Sequence, residues 1–281
     1  MLRIVTDSAS DITKEQAEQM RVEIIPLNIQ FTDGPFVQET EADIAAFYER
    51  LEQAEELPTT SQPSPERYAA CFEAARAAGD DVLVLTLSSG LSGTVNAANI
   101  GKEMSEYDRV WIVDSHHAIT TQRALTEYAV KLRDAGVSTE EVLEQVKAMR
   151  ERVTVSGVID TLTFLRKGGR IPTGLAVVGN ALKIKPVILL EDKIIKTIGK
   201  AMGKEAGKRM LWQRLEKLEP DPEFPFYFVY TSDREAGEEF MAQTIEKFGL
   251  QDYQTRLVPI GSVIGTHLGT NAFGLGYTIK N

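Results

Sequence analysis

The chain predicts an α/β fold in two domains, and three observations carry that expectation. Short apolar runs alternate with helical segments through the first half, and strand–helix alternation implies parallel strands. Three of those runs end in small hydroxyl or acidic residues, Thr6-Asp7-Ser8, Thr86-Leu87-Ser88 and Asp114-Ser115, each ahead of a helix. In open parallel sheets such strand ends gather along the edge where ligands bind. The second half instead carries neighbouring strand-like runs, Pro186–Leu190 and Lys193–Thr197, flanking Glu191-Asp192, a pattern that predicts an antiparallel hairpin. The expected architecture is a Rossmann-like, mainly parallel sheet over residues 1–156 and an α/β unit with a mixed sheet over residues 157–281, with the boundary near Ser156.

Taken in order, Arg3–Thr6 is the first short strand. Thr13 and Gln16 have capping-box spacing and start a helix reaching about Met20. Val22–Phe31 alternates like one strand, with Asp33-Gly34 as a turn. Glu41–Glu56 places Ile44, Phe47, Tyr48 and Leu51 on one helical face. The prolines of Pro58–Pro65 forbid a continuous helix there, since each removes a donor and crowds the preceding turn. Ser64 before Pro65 caps the next helix, and Gly79 stops it. Val82–Leu85 is an apolar strand, Ser88–Thr94 a polar loop and Val95–Met104 a helix. Val110–Val113 follows as a strand. Helices fill Thr120–Ala135 and Thr139–Arg152, the second with Ser138 and Glu141 as a capping box. Beyond lie the strand Val153–Ile159 and short helices over Thr161–Lys167 and Gly174–Leu182. The hairpin follows, then the helix Lys204–Leu218. The strands Phe226–Tyr230 and Arg256–Ile260 surround the helix Glu235–Phe248, and Gly261–Gly276 carries five glycines.

Composition narrows the function classes. The 281 residues include 41 acidic and 31 basic side chains, a net charge of −10, which argues against nucleic-acid binding. No signal peptide or membrane-spanning run is expected. Cys71 is the single cysteine, so no intrachain disulfide forms, and its helical flanks suit a packed core thiol in a reducing cytoplasm.

The residues that bear chemistry are few. Between strand and helix, the loop of Ser88, Ser89, Gly90, Leu91, Ser92, Gly93 and Thr94 directs hydroxyls and free N–H groups at one spot, where the helix dipole favours an anion. Helix capping alone is the other reading of that loop. His267 lies in Gly265-Thr266-His267-Leu268-Gly269, as a ligand-facing imidazole or as a turn histidine with a satisfied ring. No second ligand stands at metal spacing, so no metal is expected. The pair His116-His117 reads as exposed and incidental. Leu165–Ile171, LRKGGRI, is a basic cluster in an acidic chain, suited to a solvated helix end or to a phosphate or partner. A serine hydrolase using Ser92, His267 and Asp7 or Asp114 is disfavoured, because a nucleophile elbow needs glycine where Thr94 stands.

Six stretches in chain order carry a resemblance: Thr6-Asp7-Ser8 with Asp11, Pro58–Ser64 (PTTSQPS), Leu91–Thr94 (LSGT), Val113-Asp114-Ser115, Leu165–Ile171 and Gly265–Gly269 (GTHLG). Together they resemble the DegV family of fatty-acid-binding proteins. One departure is Thr270-Asn271 after Gly269, where the family usually has Pro-Gly. The resemblance implies two α/β domains with a long-chain fatty acid between them. It implies that Thr60, Ser92 and His267 hold the carboxylate, with Ser61 and Gly93 beside them and Asp7 and Ser115 in a secondary role. Arg170 matches a position associated with partner work. The implied partners are a fatty acid kinase, which phosphorylates the presented carboxylate, and an acyltransferase leading towards phospholipid synthesis, with transient contact at a membrane surface. The implied protein is a lipid carrier without cofactor rather than an enzyme. A serine hydrolase, a dihydroxyacetone-kinase-like substrate-binding subunit and an interaction module remain as alternatives. Two hydroxyls, an imidazole and loop N–H groups are expected to satisfy the acid without a full opposing charge.

Overall fold

The order of elements in the first half explains how the loops reach one edge. The computed structural model describes residues 1–171 and 183–280. It begins with β1 (Leu2–Asp7), α1 (Lys14–Met20), β2 (Val22–Ile25), β3 (Asn28–Phe31), β4 (Gly34–Phe36), α2 (Glu41–Gln53) and β5 (Thr59–Ser61). It continues through α3 (Pro65–Ala78), β6 (Asp81–Thr86), α4 (Thr94–Ser105), β7 (Val110–Asp114), α5 (Ile119–Asp134) and α6 (Thr139–Arg150). Strands β2-β1-β6-β7 form a sheet in that order, every pair parallel. Thr6 pairs with Leu85 and Thr86 with Asp114, so the expected hydroxyl and acidic ends do share one edge. The expected capping box at Thr13 forms, Pro65 takes the first turn of α3, and Gly79 ends that helix in the left-handed region at φ 70°.

The second half supplies β8 (Val153–Val158), α7 (Thr163–Lys167), β9 (Ile184–Glu191), β10 (Ile194–Met202), α8 (Lys204–Leu215), β11 (Phe226–Tyr230), α9 (Arg234–Phe248), β12 (Thr255–Pro259), α10 (Ser262–Leu268) and β13 (Phe273–Thr278). Its sheet runs β10-β9-β8-β13-β11-β12 and is mixed: β11 and β12 are parallel and the other neighbours antiparallel. The β9–β10 hairpin turns at Asp192 and Lys193, both at positive φ. Residue 156 falls inside β8, which pairs wholly within this second sheet.

Several expectations need correction. Val22–Phe31 is two strands, because Pro26 has no donor for the parallel ladder. The chain leaves the first sheet after Ile25, and β3 joins a small antiparallel sheet of order β4-β3-β5. The glycine-rich end, to which the sequence pattern assigns no element, holds the helix α10 and the strand β13. Ser138 accepts from Glu141 N at 3.3 Å as one half of a capping box. His117 is buried, not exposed, with Nε2 3.2 Å from Arg150 O. The helix expected over Gly174–Leu182 lies outside the described residues.

Apolar side chains from both halves fuse into one core between the sheets, among them Phe47, Leu87, Val155, Ile188 and Leu268. An ion cluster ties the same seam. Glu127 on α5 accepts from Arg123 Nε at 2.7 Å, from Arg256 Nη1 at 2.8 Å and from Tyr227 OH at 2.8 Å. Since Arg256 lies on β12 and Tyr227 on β11, this carboxylate fixes the second sheet against α5.

Candidate functional site

A cavity of about 890 Å³, mouth included, lies in that seam. Its walls are largely aliphatic, with Leu87, Val155, Ile188, Val229 and Leu268 among them. Thr60, Ser61, Gln62, Ser92, Arg170 and His267 gather at one end of the lining, and Ser156 of β8 is a further polar residue along it. Ser61 and Gln62 are exposed, so this end reaches the surface.

Each polar group has a structural reason for its place. Thr60 sits in β5, opposite Ile29 of β3. The break at Pro26 therefore creates the strand on which β5 builds. His267 rides in the last turn of α10. That helix is anchored at its start: Gly261 N donates to Asp11 Oδ1 at 3.0 Å, and Ser262 N and Oγ both donate to Gln38 Oε1 at 2.6 Å. Gly265 lets α10 approach α2, since a Cβ there would stand 2.5 Å from Tyr48 Oη. Gly168 borders the imidazole itself, where a Cβ would come within 2.3 Å of His267 Nδ1. That contact accounts for the first glycine of the LRKGGRI stretch.

The serine loop closes the same end. A Cβ on Gly93 would meet Gln62 Oε1 at 1.8 Å, so loop and β5 pack directly. Ser92 Oγ and Thr94 Oγ1 lie 2.8 Å apart. Ser88 Oγ donates to Lys193 O at 2.8 Å, joining the loop to the β9–β10 turn. Arg170 Nε donates to Leu91 O at 3.0 Å, which draws the basic segment onto the loop.

Thr60 Oγ1 and His267 Nε2 are 2.8 Å apart, joining residues 207 positions distant in sequence. Burial, and the positive charge of Arg170, push the imidazole down to about 4, so it is neutral at pH 7. Its Nδ1 is buried without a hydrogen-bond partner. A bare lone pair there is the natural assignment, with the proton on Nε2 donated to Thr60 Oγ1. The threonine hydroxyl then keeps its own hydrogen free to donate to a ligand. Arg170 has no carboxylate partner within 4 Å among the described residues. Burial lowers its affinity for its proton, but a guanidinium stays charged. The expectation of a site without full opposing charge is therefore corrected: a cation with no carboxylate partner among the described residues lines its polar end.

The remaining predicted residues take different places. Asp7 does not line the cavity. It is buried, pushed up to about 6 by that burial, and accepts from Leu87 N at 2.6 Å, Ala9 N at 3.0 Å and Gln122 Nε2 at 3.1 Å. It thereby joins the end of β1 to the start of the serine loop. Ser115 likewise stays off the cavity, bonding the His117 backbone at 3.0 Å, while His117 O accepts from Ser88 N at 2.9 Å. Both residues shape the loop from behind. Gly93 is exposed and is not among the lining residues; it packs against Gln62, which is. The hydrolase arrangement does not assemble: Ser92 bonds Thr94, His267 bonds Thr60, and Asp7 and Asp114 are engaged elsewhere. Sequence reasoning passed over Gln62, although it stands inside the PTTSQPS motif. Among the described residues no group of His, Cys, Asp and Glu could hold a metal ion, and no helix is long and apolar enough to cross a membrane.

Fold and site together define an α/β protein with a largely apolar cavity between two sheets and one polar, cationic end. The chain belongs to the DegV family: the profile described as "Uncharacterised protein, DegV family" matches residues 1–280. Protein DegV of Bacillus subtilis is 29% identical over 282 residues, covering 99% of each chain. A DegV family protein from Thermus thermophilus, whose solved structure concerns fatty acid binding, superimposes with a TM-score of 0.88 at 27% identity, over 99% of each chain. A stearic-acid-binding protein from Eubacterium ventriosum gives a TM-score of 0.84 at 26% identity, over 100% of this chain and 99% of that one.

Proposed function

We propose that this protein binds one long-chain fatty acid, its tail in the seam cavity and its carboxylate between Thr60, Ser92, Arg170 and His267. The single observation that carries this is the division of the cavity into a largely aliphatic body and one polar end, where the Arg170 guanidinium has no carboxylate partner among the described residues. Burying about 14 methylenes at roughly 0.8 kcal/mol each supplies on the order of 11 kcal/mol before association costs. The tail sets affinity, and the head group sets orientation. The ligand lies between the two units read from the sequence, with all of β8 assigned to the second. The protein acts in the cytoplasm as a carrier without cofactor and without turnover of its own. Because Ser61, Gln62 and Gly93 at the polar end are exposed, the carboxylate is within reach of a fatty acid kinase. The phosphorylated acid then passes to an acyltransferase, with transient contact at the membrane surface.

The test is titration of lipid-free protein with a long-chain fatty acid, comparing wild type with Thr60→Val and Ser92→Ala. Each variant loses one hydroxyl donor, worth about 1 kcal/mol or roughly five-fold in Kd, and keeps its fold. Undiminished binding by the double variant contradicts the head-group assignment. Absence of binding by the wild type contradicts the function.

A further inference from the structure

The cavity floor crosses four neighbouring strands in one register. Ile188 of β9 faces Gly157 of β8, Gly157 faces Gly274 of β13, and Gly274 faces Val229 of β11. Directly opposed residues present their side chains on the same face of a sheet. The row therefore runs from a branched side chain, across two positions with none, to another branched side chain. Ile188, Gly157 and Val229 all line the cavity. With strands about 4.8 Å apart, the two glycines leave a trough between Ile188 and Val229, and of the two it is Gly157 that lines the cavity.

The two glycines are not equivalent. A Cβ on Gly274 would stand 2.4 Å from Ser156 O, a clash with the backbone of the neighbouring strand. A Cβ on Gly157 would come no nearer than 3.0 Å, to Phe273 O, and its next contacts lie at 3.7 Å. Gly157 has no positive φ that would demand glycine. It also stays partly exposed while Ser156 and Val158 beside it are buried, and the space it opens onto is the cavity. Backbone strain does not explain a missing side chain at this position, and the one tight contact a Cβ would make, to Phe273 O at 3.0 Å, asks the neighbouring strand to give by only a few tenths of an ångström. What its absence leaves is room in the lumen.

The geometry points to Gly157 as the residue that sets which acyl-chain lengths the cavity accepts, by leaving open the trough through which the far end of the tail passes. This rests on the fatty-acid reading above. The ligands it selects are straight-chain acids long enough for their terminal methylenes to cross β8 and β13. A side chain at 157 would block that passage and leave the polar end untouched.

The test titrates lipid-free wild type, Gly157→Ala and Gly157→Leu with straight-chain acids from about ten to about eighteen carbons. Each methylene kept out of the cavity costs about four-fold in affinity. A leucine that excludes about four methylenes weakens the longest acids about 250-fold and leaves the shortest bound as in wild type. Alanine shifts the preference in the same direction by less. Identical length profiles in wild type and variants overturn the inference, as does a uniform loss at every length. Should Gly157→Leu not fold, the profile of Gly157→Ala decides by the same criteria, since its methyl needs the sheet to give only a few tenths of an ångström. A wild type that binds no acid overturns the fatty-acid reading, and this inference with it.

Discussion

Replacing Arg170 with methionine keeps most of the side-chain volume and removes the charge. The structure assigns two consequences. The first is a loss of ligand affinity. Two unit charges about 4 Å apart near a protein surface attract by about 4 kcal/mol, and part of that is offset by desolvation when the acid binds. A charge-assisted hydrogen bond nets about 2–3 kcal/mol, so Kd for a long-chain acid should rise about 30- to 150-fold. The second concerns His267. Arg170 helps hold the imidazole down to about 4, so Arg170→Met moves its titration upward. Both are measurable on one sample, by calorimetric titration of lipid-free protein and by NMR of the imidazole across pH. Arg170 also donates to Leu91 O and Gly168 O, so the variant loses stability by about 1 kcal/mol for each bond. Thermal unfolding separates that loss from binding. A folded Arg170→Met that binds within about three-fold of wild type, with His267 titrating as before, refutes the electrostatic account of the site.

Asp11, raised from 3.8 to about 8 by burial, makes stability depend on pH with a definite sign. Its folded form holds a proton that its unfolded form has released between those values, so stability falls as pH rises through that window and the fall ends near 8. Asp7 is raised only to about 6, and His117 and His267 are lowered to about 4; their contributions are confined mainly below pH 6.5. Between about pH 6.5 and 8 the decline of roughly 2 kcal/mol therefore belongs to Asp11. Urea unfolding should show it in wild type and not in Asp11→Asn, whose side chain suits the φ of 55° there; equal slopes contradict the assignment. Gly168→Ala places a methyl only 2.3 Å from His267 Nδ1. It should displace the imidazole, lengthen its bond to Thr60 and cost about 1–3 kcal/mol of stability; an unshifted His267 resonance contradicts that packing.

The parts of the fold legible in the chain were those governed by local chemistry. Capping at Thr13, proline at the start of α3, Gly79 at its end and the β9–β10 turn all follow from residues within a few positions of one another. The parallel sheet followed from alternation. What alternation could not reveal was where a strand changes sheets: Val22–Phe31 keeps its period across Pro26, and only the missing donor forces the chain out of the first ladder. The pairing of Thr60 with His267 depends on α10 packing over α2, a contact between residues about two hundred positions apart that no local pattern encodes. Asp7 and Ser115 looked like site residues because acidic and hydroxyl side chains at strand ends serve two purposes. Here they hold loop backbone. Arg170 looked like a surface cation in a basic stretch, and only the fold turns it inward onto Leu91.

The central claim is that the seam cavity holds a fatty acid with its acid head at the polar end. Native mass spectrometry of the protein as purified, followed by organic extraction and lipid analysis, tests it most directly. The expected result is one long-chain fatty acid per chain, much reduced when Arg170→Met is purified in the same way. A wild-type protein carrying no acid, and still empty after incubation with long-chain fatty acids, would contradict it.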